Sequence, residues 1–183
     1  MSPAGKVLCV IVCAADPASA VGRLVGQAQA DGWTVQVVAT PPALDFIDVG
    51  ALERQTGTPV RSRYRKPGEP RSPRADGIIV APATYNTINK FAQGICDTYA
   101  LGLLAEAPGR NIPVVVLPFV NSALADRAPF RRSVDRLRDE GIHVLLGPGE
   151  FEPHPPGTAS TRVDGYPWDR ALRRLQVSEI GQD

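Results

Sequence analysis

The sequence predicts an α/β protein in which residues 1–183 form a single domain with a three-layer, Rossmann-like, doubly wound parallel sheet. Short continuous apolar runs alternate along the chain with stretches whose apolar residues recur at helical spacing. Strands that alternate with helices in this way usually pair in parallel. The length of 183 residues suits one domain, and the hydrophobic fraction of 43% is ordinary for a globular protein.

Charge and cysteine content narrow the class of partner. The formal net charge of +1 gives no general attraction to nucleic acid. No stretch approaches the roughly 18 apolar residues that a membrane-spanning helix needs. Cys9, Cys13 and Cys96 share no metal-ligand spacing and no disulfide-like framework. We therefore expect a cytoplasmic protein that binds no metal, no nucleic acid and no membrane.

The first part of the chain reads as strand, helix and strand. The β-branched run 7–13 predicts a strand rather than a signal peptide, because it leads directly into a helix start at Asp16 and Pro17. An apolar stripe predicts a helix over about 18–30, and alternation over 33–40 predicts a second strand. A partly helical piece is expected to follow.

The segment 61–75 differs from the rest of the chain. It carries six cationic side chains against one acid, Glu69, and three prolines interrupt it. Such a segment cannot form a packed core, so we predict a mobile loop after a short third strand. The simplest interpretation is a solvated loop. The alternative is an electropositive lid that attracts a phosphate or carboxylate through arginine forks.

The stretch from Ile78 to Asp97 is the most informative. The apolar run 78–81 predicts a buried strand that Pro82 ends, because proline has no N–H to donate. Polar residues from Thr84 onward favour a helix start, and the apolar spacing predicts a helix to about residue 107. Open parallel sheets bind ligands at such a junction, where free N–H groups can hold an anion or a polar ring edge.

The second part of the chain predicts one more strand, helix and strand, over 112–117, 130–140 and 142–146. Residues 147–168 are rich in proline and glycine. A short helix over 169–177 is predicted near the end.

Residues 81–97, Ala-Pro-Ala-Thr-Tyr-Asn-Thr-Ile-Asn-Lys-Phe-Ala-Gln-Gly-Ile-Cys-Asp, closely resemble the Pro-Ala-Ser-Ala-Asn-Thr motif of the flavin-containing cysteine decarboxylase family. Members include phosphopantothenoylcysteine decarboxylase and the peptidyl-cysteine decarboxylases of lantibiotic precursors. The family motif continues into a helix with Lys and then Gly-Ile-x-Asp, matched here by Lys90 and 94–97. A family pattern after the second strand, Val-Val-x-Thr-x-x-Ala-x-x-Phe, is matched by Val37, Val38, Thr40, Ala43 and Phe46.

The resemblance implies FMN as cofactor and a homotrimer or larger homo-oligomer with flavin at a subunit boundary. It also implies that the tail, residues 147–168, closes over the pocket. The absence of Gly-x-Gly-x-x-Gly after the first strand also favours FMN over a dinucleotide. In the family, the residue at the position of Thr40 lies near the flavin phosphate. The predicted cofactor-binding residues are Ala14, Ala15, Ser19, Thr40, Phe46, Pro82, Ala83, Thr84, Asn86 and Thr87.

Residues 118–124 look like a divergent copy of the family's Pro-x-Met-Asn-x-x-Met motif and keep Pro118 and Asn121. We predict Asn86 and Asn121 as catalytic or substrate-contacting residues, because an amide can donate to a carboxylate without burying a charge. His154 is the third predicted catalytic residue, because it reaches the pocket if the tail folds over it. Local turn capping is the alternative for Asn121, and a solvated loop histidine is the alternative for His154.

Two departures from the family keep several readings open. Asp16 and Pro17 stand where the family has a loop rich in Gly and Ser or Thr. Three interpretations follow: Ser19 holds the phosphate while Asp16 faces away, the phosphate is held from the side of the second strand, or the ligand is different. The segment before the central strand lacks the family's histidine. We predict an FMN-binding flavoprotein with redox or decarboxylase-like activity on a small or peptidyl anionic substrate. The alternatives are a non-catalytic flavin carrier or sensor, and an interaction protein that has lost the cofactor.

Overall fold

The sheet contains five parallel strands in the order β2–β1–β3–β4–β5. The computed structural model describes residues 5–180, with the side chains of residues 179 and 180 excepted. The strands are β1 (Val7–Val12), β2 (Thr34–Ala39), β3 (Gly77–Ala83), β4 (Val114–Pro118) and β5 (His143–Val144). The predicted doubly wound parallel sheet is therefore confirmed, and its strand order reverses between β1 and β3.

Helices flank both faces of the sheet. They are α1 (Gly22–Ala30), α2 (Val49–Thr56), α3 (Tyr85–Ala92), α4 (Tyr99–Glu106), α5 (Ser122–Ala125), α6 (Ala128–Asp139) and α7 (Trp168–Ile180). Four short 3₁₀ helices, Asp16–Ala20, Pro41–Asp45, Pro108–Arg110 and Ala159–Arg162, connect them. No helix among residues 5–180 is long and apolar enough to cross a membrane.

The two faces of the sheet are covered differently. On one face α7 approaches β3 so closely that a Cβ added at Gly77 would lie 2.8 Å from Leu175 Cδ2, so a larger residue there would displace the Leu175 side chain. Cys9 pairs in register with both Gln36 and Ile78, and these three side chains point to the opposite face. That face is covered by α4 and the segment 61–75.

The prediction that Pro82 ends the central strand was wrong. β3 runs on to Ala83, where it pairs with Pro118, and its register on β4 shifts between Val80 and Ala83. The Ala81–Pro82 peptide bond is cis. Proline keeps its carbonyl as an acceptor, and the N–H of Cys13 donates to it at 3.1 Å. A missing donor therefore did not end the strand.

Two predicted long helices are each divided in the structure. The helix expected from the central motif to about residue 107 breaks at Gly94, which adopts a left-handed φ of 70°, and restarts behind the cap Thr98. The helix expected over 18–30 is a 3₁₀ turn followed by α1. Asp16 is not its N-cap, because that position is Ala15 and no side chain caps it.

Two predicted strands are shorter than expected. The third strand proposed before the basic segment is reduced to a single bridge, in which Arg61 pairs with Val38. The last strand, expected over 142–146, contains only His143 and Val144. Both lie at the margins of the sheet, where few neighbours extend the hydrogen-bond ladder.

Candidate functional site

The carboxyl ends of β1, β2 and β3 meet at one corner of the sheet. The N–H of Thr40, just after β2, donates to the carbonyl of Val12 at 2.9 Å. The N–H of Cys13, just after β1, donates to Pro82 of β3 at 3.1 Å. These bonds bring the residues after β1 beside Thr40 on one side and the central motif on the other. This corner is the reversal point at which open α/β sheets bind ligands.

A hydrogen-bonded cluster fixes the first turn of α3 against the end of β1. Thr84 is the N-cap of α3: its Oγ1 accepts from the N–H of Thr87 at 3.3 Å and donates to Thr87 Oγ1 at 3.1 Å. The buried thiol of Cys13 donates to Thr87 Oγ1 at 3.4 Å. Burial raises the pKa of Cys13, so the thiol keeps its proton and remains a donor.

The corner presents backbone donors that the rest of the described chain does not use. The N–H groups of Ala14 and Ala15, after β1, donate to no acceptor there, and neither do those of Tyr85 and Asn86 in the first turn of α3. The small side chains of the two alanines are half-buried, while that of Asn86 is exposed and has no hydrogen bond in this part of the chain. The corner can therefore accept an anion or a polar ring edge from solvent.

The other predicted cofactor residues differ in what they offer. Thr40 is 8% exposed, and its hydroxyl bonds to none of the residues that the structure describes. Phe46 ends the 3₁₀ helix after β2 and is 40% exposed. The hydroxyl of Ser19 donates to the carbonyl of Asp16 at 3.2 Å and is thus already engaged. Pro82 and Ala83 are buried in β3.

Asn121 and His154 come together at the end of β4. The N–H of Phe119 donates to Ala83 at 2.9 Å, which places the end of β4 next to the central motif. Asn121 caps α5, its Oδ1 accepting from the N–H of Leu124 at 3.0 Å. The N–H of Ser122 donates to the carbonyl of His154 at 2.8 Å, so the tail runs beside this turn. The capping interpretation of Asn121 is thus seen in the structure, and its amide nitrogen stays available as a donor.

His154 belongs to a buried aromatic cluster and is only 4% exposed. Its ring packs on Phe119 with centroids 4.9 Å apart, and its Nδ1 lies 3.0 Å from the carbonyl of Pro155. The cluster also contains Phe151, Tyr166 and Trp168. The interpretation of His154 as a solvated loop residue is therefore wrong, and its catalytic role remains a prediction.

Tyr166 anchors the tail to the sheet. Its hydroxyl donates to the carbonyl of Leu117 at 2.6 Å, and burial raises its pKa well above the ordinary value. The indole Nε1 of Trp168 is buried and has no acceptor in the described part of the chain. His143, the other histidine, lies on the edge strand β5, where partial burial and then Arg174 lower its pKa.

Sequence reasoning missed the contribution of two side chains at this site. Cys13 was interpreted only as the last residue of an apolar strand. Because the ligand corner lies at the carboxyl ends of the strands, that position itself indicates that Cys13 is near the site. Tyr166 lies 49 positions from Leu117, and no local pattern announces that bond.

A parallel sheet of this order, with unused donors at the reversal point, defines an α/β ligand-binding protein of the doubly wound class. The family model described as Flavoprotein matches residues 4–161. The chain belongs to this family, and the predicted resemblance to flavin-containing cysteine decarboxylases is confirmed.

Similar proteins carry names that agree with this assignment. The chain is 28% identical over 156 residues to the coenzyme A biosynthesis bifunctional protein CoaBC of Thermococcus kodakarensis; the match covers 81% of the chain but only 37% of that relative. The solved FMN-dependent cysteine decarboxylase SpaF has a TM-score of 0.70 at 23% identity, with 92% of this chain and 98% of that one covered. TvaF, from thioviridamide biosynthesis, has a TM-score of 0.68 at 26% identity, with 76% and 88% covered.

Proposed function

We propose that the chain binds FMN at the corner formed by the ends of β1, β2 and β3, and uses it for a redox or decarboxylase-like reaction on a small or peptidyl anionic substrate. The observation that carries the proposal is the set of unused backbone donors at Ala14, Ala15, Tyr85 and Asn86. Membership of the Flavoprotein family and the similarity to SpaF and TvaF, both FMN-dependent cysteine decarboxylases, support FMN.

The residues at the corner suit the parts of FMN. The phosphate would be held by the N–H groups of Ala14 and Ala15 and by the hydroxyl of Thr40. These three donors are unused and lie at the same corner. The first turn of α3, including Asn86, would face the polar ring edge or the ribityl chain. Phe46 offers an apolar wall on the side of β2.

The position of the phosphate follows from Asp16 and Ser19, which lie in the segment after β1. Asp16 is exposed in the first turn of its 3₁₀ helix, so its carboxylate adds negative charge near any bound phosphate. The hydroxyl of Ser19 is engaged by the backbone of Asp16. Thr40 has no such conflict. These facts support a phosphate held by the N–H groups of Ala14 and Ala15 together with Thr40 on the side of the second strand, and not by Ser19.

The bound flavin would supply a two-electron acceptor for oxidation of the substrate. Asn121 would orient an anionic group, because its Oδ1 is fixed by the cap of α5 while its Nδ2 can donate. The tail beside it, anchored through Tyr166, would keep water from that side of the site. Cys13 and Thr87 would keep the first turn of α3 in place.

A non-catalytic flavin carrier or sensor is the second candidate function. The observation that favours it is the location of both histidines: His154 is buried among aromatic rings and His143 lies on the far edge strand. An interaction protein without cofactor is the third candidate, favoured by the carboxylate of Asp16 at the corner.

We also propose a homotrimer or larger assembly in the cytoplasm. Exposed apolar side chains support an assembly, since Ile95 between α3 and α4 and Phe46 beside the corner are each 40% exposed. Light scattering of the purified protein tests this point, and a monomer at micromolar concentration would exclude it.

An absorption spectrum after reconstitution with FMN tests cofactor binding. The flavin enzyme and the flavin sensor both predict bound flavin with shifted visible bands, whereas the interaction protein predicts none. Anaerobic mixing with cysteine-ended peptides and thiol acids then separates the first two. Bleaching of the flavin supports the enzyme, and no reduction by any of these compounds supports the sensor.

A further inference from the structure

A cavity of about 540 Å³ lies beneath the segment 61–75, on the sheet face opposite α7. Its floor is formed by side chains of adjacent strands, Cys9 of β1, Val38 of β2 and Ile78 of β3, and Leu103 of α4 forms a wall. Gln36 of β2 also lines the floor, but its amide nitrogen already donates to the carbonyls of Val37 and Pro59, so the floor is mainly apolar. A volume of this size lies within the roughly 300–1,000 Å³ that is usual for small-molecule sites.

This cavity is separate from the proposed flavin corner. None of its lining residues is among the predicted cofactor-binding residues. Cys9 precedes Cys13 by four residues, which corresponds to about 13 Å along a parallel strand. Burial raises the pKa of Cys9 to about 12, so this part of the floor carries no charge at neutral pH.

The roof of the cavity is fastened to α4 by aromatic contacts. Tyr64 packs edge-on against Tyr99 with ring centroids 5.3 Å apart. The hydroxyl of Tyr99 donates to Ser72 Oγ at 3.3 Å. Tyr64 also fits over Gly102, where an added Cβ would lie only 2.3 Å from the tyrosine oxygen. These contacts hold the basic segment above the floor.

The arginines of the roof and walls are only partly neutralised. Glu69 forms ion pairs with Arg61 at 3.8 Å and Arg63 at 3.1 Å. Across the cavity, Glu106 pairs with Arg110 at 3.3 Å.

Two arginines of the roof have no partner among residues 5–178. Arg71 and Arg74 line the cavity, are exposed, and make no hydrogen bond or ion pair with any residue in the described part of the chain. The cavity therefore combines an apolar floor with two uncompensated guanidinium groups. Guanidinium forks match phosphate oxygens in geometry, and two positive charges match a phosphomonoester dianion.

We propose that this cavity is a second ligand site, which takes a small phosphomonoester with an apolar body. The phosphate lies between Arg71 and Arg74, and the apolar body lies on the strand floor against Leu103. The site goes beyond the proposed function, because it requires neither bound flavin nor turnover.

Calorimetric titration of phenyl phosphate into the full chain, saturated with FMN where FMN binds, tests the proposal. We expect one phenyl phosphate per chain, inorganic phosphate at least about tenfold weaker because it lacks the apolar body, and no heat with phenol. The double substitution Arg71→Gln and Arg74→Gln should weaken the binding of phenyl phosphate by about tenfold or more.

The matched control is Arg127→Gln together with Arg132→Gln, which removes the same charge from exposed, unpaired arginines at α6. It should change the affinity by less than about twofold. Thermal melting of both variants shows that they are folded.

Three results would overturn the second site: no binding of phenyl phosphate to the wild-type chain saturated with FMN, unchanged affinity in the Arg71 and Arg74 variant, or equal weakening in the control. The flavin spectrum of the same samples reports separately on the proposed function. If phenyl phosphate does not bind while flavin does, only the second site is refuted. If flavin does not bind while phenyl phosphate does, only the flavin proposal is refuted.

Discussion

The thiol of Cys13 donates to the hydroxyl of Thr87 across 3.4 Å and so joins the end of β1 to the first turn of α3. Thr84 completes the same cluster as the cap of α3. The unused donors of the corner lie directly beside these residues, so their spacing depends on the cluster. The first prediction follows from that dependence.

Thr84→Ala should lower both the stability of the protein and its affinity for FMN. Loss of an N-cap costs about 1 kcal/mol of unfolding free energy. FMN should also bind at least about threefold more weakly, because the first turn of α3 loses its fixed position. Urea unfolding and a flavin fluorescence titration measure the two effects.

Thr98→Ala is the matched control, because Thr98 caps α4 in the same way, with its hydroxyl accepting from Leu101 at 3.2 Å. It should cost similar stability and leave the affinity for FMN unchanged. Equal loss of FMN affinity in both variants would show that the cluster acts only through global stability.

Asp16→Asn should strengthen the binding of FMN, because it removes a negative charge near the proposed phosphate position. Two unit charges in contact in water interact by roughly 1 kcal/mol, which corresponds to about fivefold in affinity. Riboflavin, which has no phosphate, should bind equally to both proteins. Asp135→Asn, an exposed change on α6, is the control. An effect on riboflavin as large as that on FMN would contradict a phosphate in this position.

His143→Gln should flatten the dependence of stability on pH. Partial burial, and then Arg174, lower the folded-state pKa of His143 below its ordinary 6.5. The unfolded chain therefore binds the extra proton first, so this stabilisation is complete above about pH 6.5 and is lost as the pH falls through the folded-state pKa.

Urea unfolding between about pH 5 and 7.5 measures this slope. The variant should lose less stability over that interval than the wild-type chain does. Arg132→Gln, which removes an exposed charge on α6, should keep the wild-type slope. A slope in the His143 variant equal to that of the wild type would refute the prediction.

Gly102→Ala should release the basic segment from α4 without unfolding the protein. The new Cβ would meet the hydroxyl of Tyr64, which is 58% exposed and free to swing away. Alanine also favours a helix over glycine by about 1 kcal/mol, so stability should not fall. Trypsin should cleave faster after Arg63 and Arg65. Gly109→Ala, which meets nothing within 4 Å, should leave cleavage unchanged.

Local sequence pattern was sufficient for the framework of the fold. The β-branched run of β1 and the capped start of α3 at Thr84 were both predicted, because burial on two faces and helix capping each leave a local signature. Breaks that depend on one backbone conformation were missed. Gly94 divides α3 from α4 through its left-handed φ, although its place in an apolar stripe favoured continuation.

The site could be predicted only in part. Residues adjacent in sequence, such as Thr84 and Thr87, carried a motif, whereas bonds between distant segments left no periodic signal. The turn at Asn121 meets His154 through backbone pairing across 33 positions, and the burial of that histidine among rings depends on the same contact. The apolar floor beneath Arg71 also depends on which face of each strand points toward the basic segment.

The most direct test of a flavin at the reversal point is the affinity for FMN of the wild-type chain, Ala14→Glu and the control Ala128→Glu. Ala14 lies at the corner, whereas Ala128 is exposed at the start of α6. We predict that the wild-type chain binds one FMN. Ala14→Glu should bind FMN about tenfold or more weakly, because its carboxylate faces the phosphate, and Ala128→Glu should bind FMN as the wild type does. Absence of FMN binding to the wild type, or equal binding to all three proteins, would contradict it.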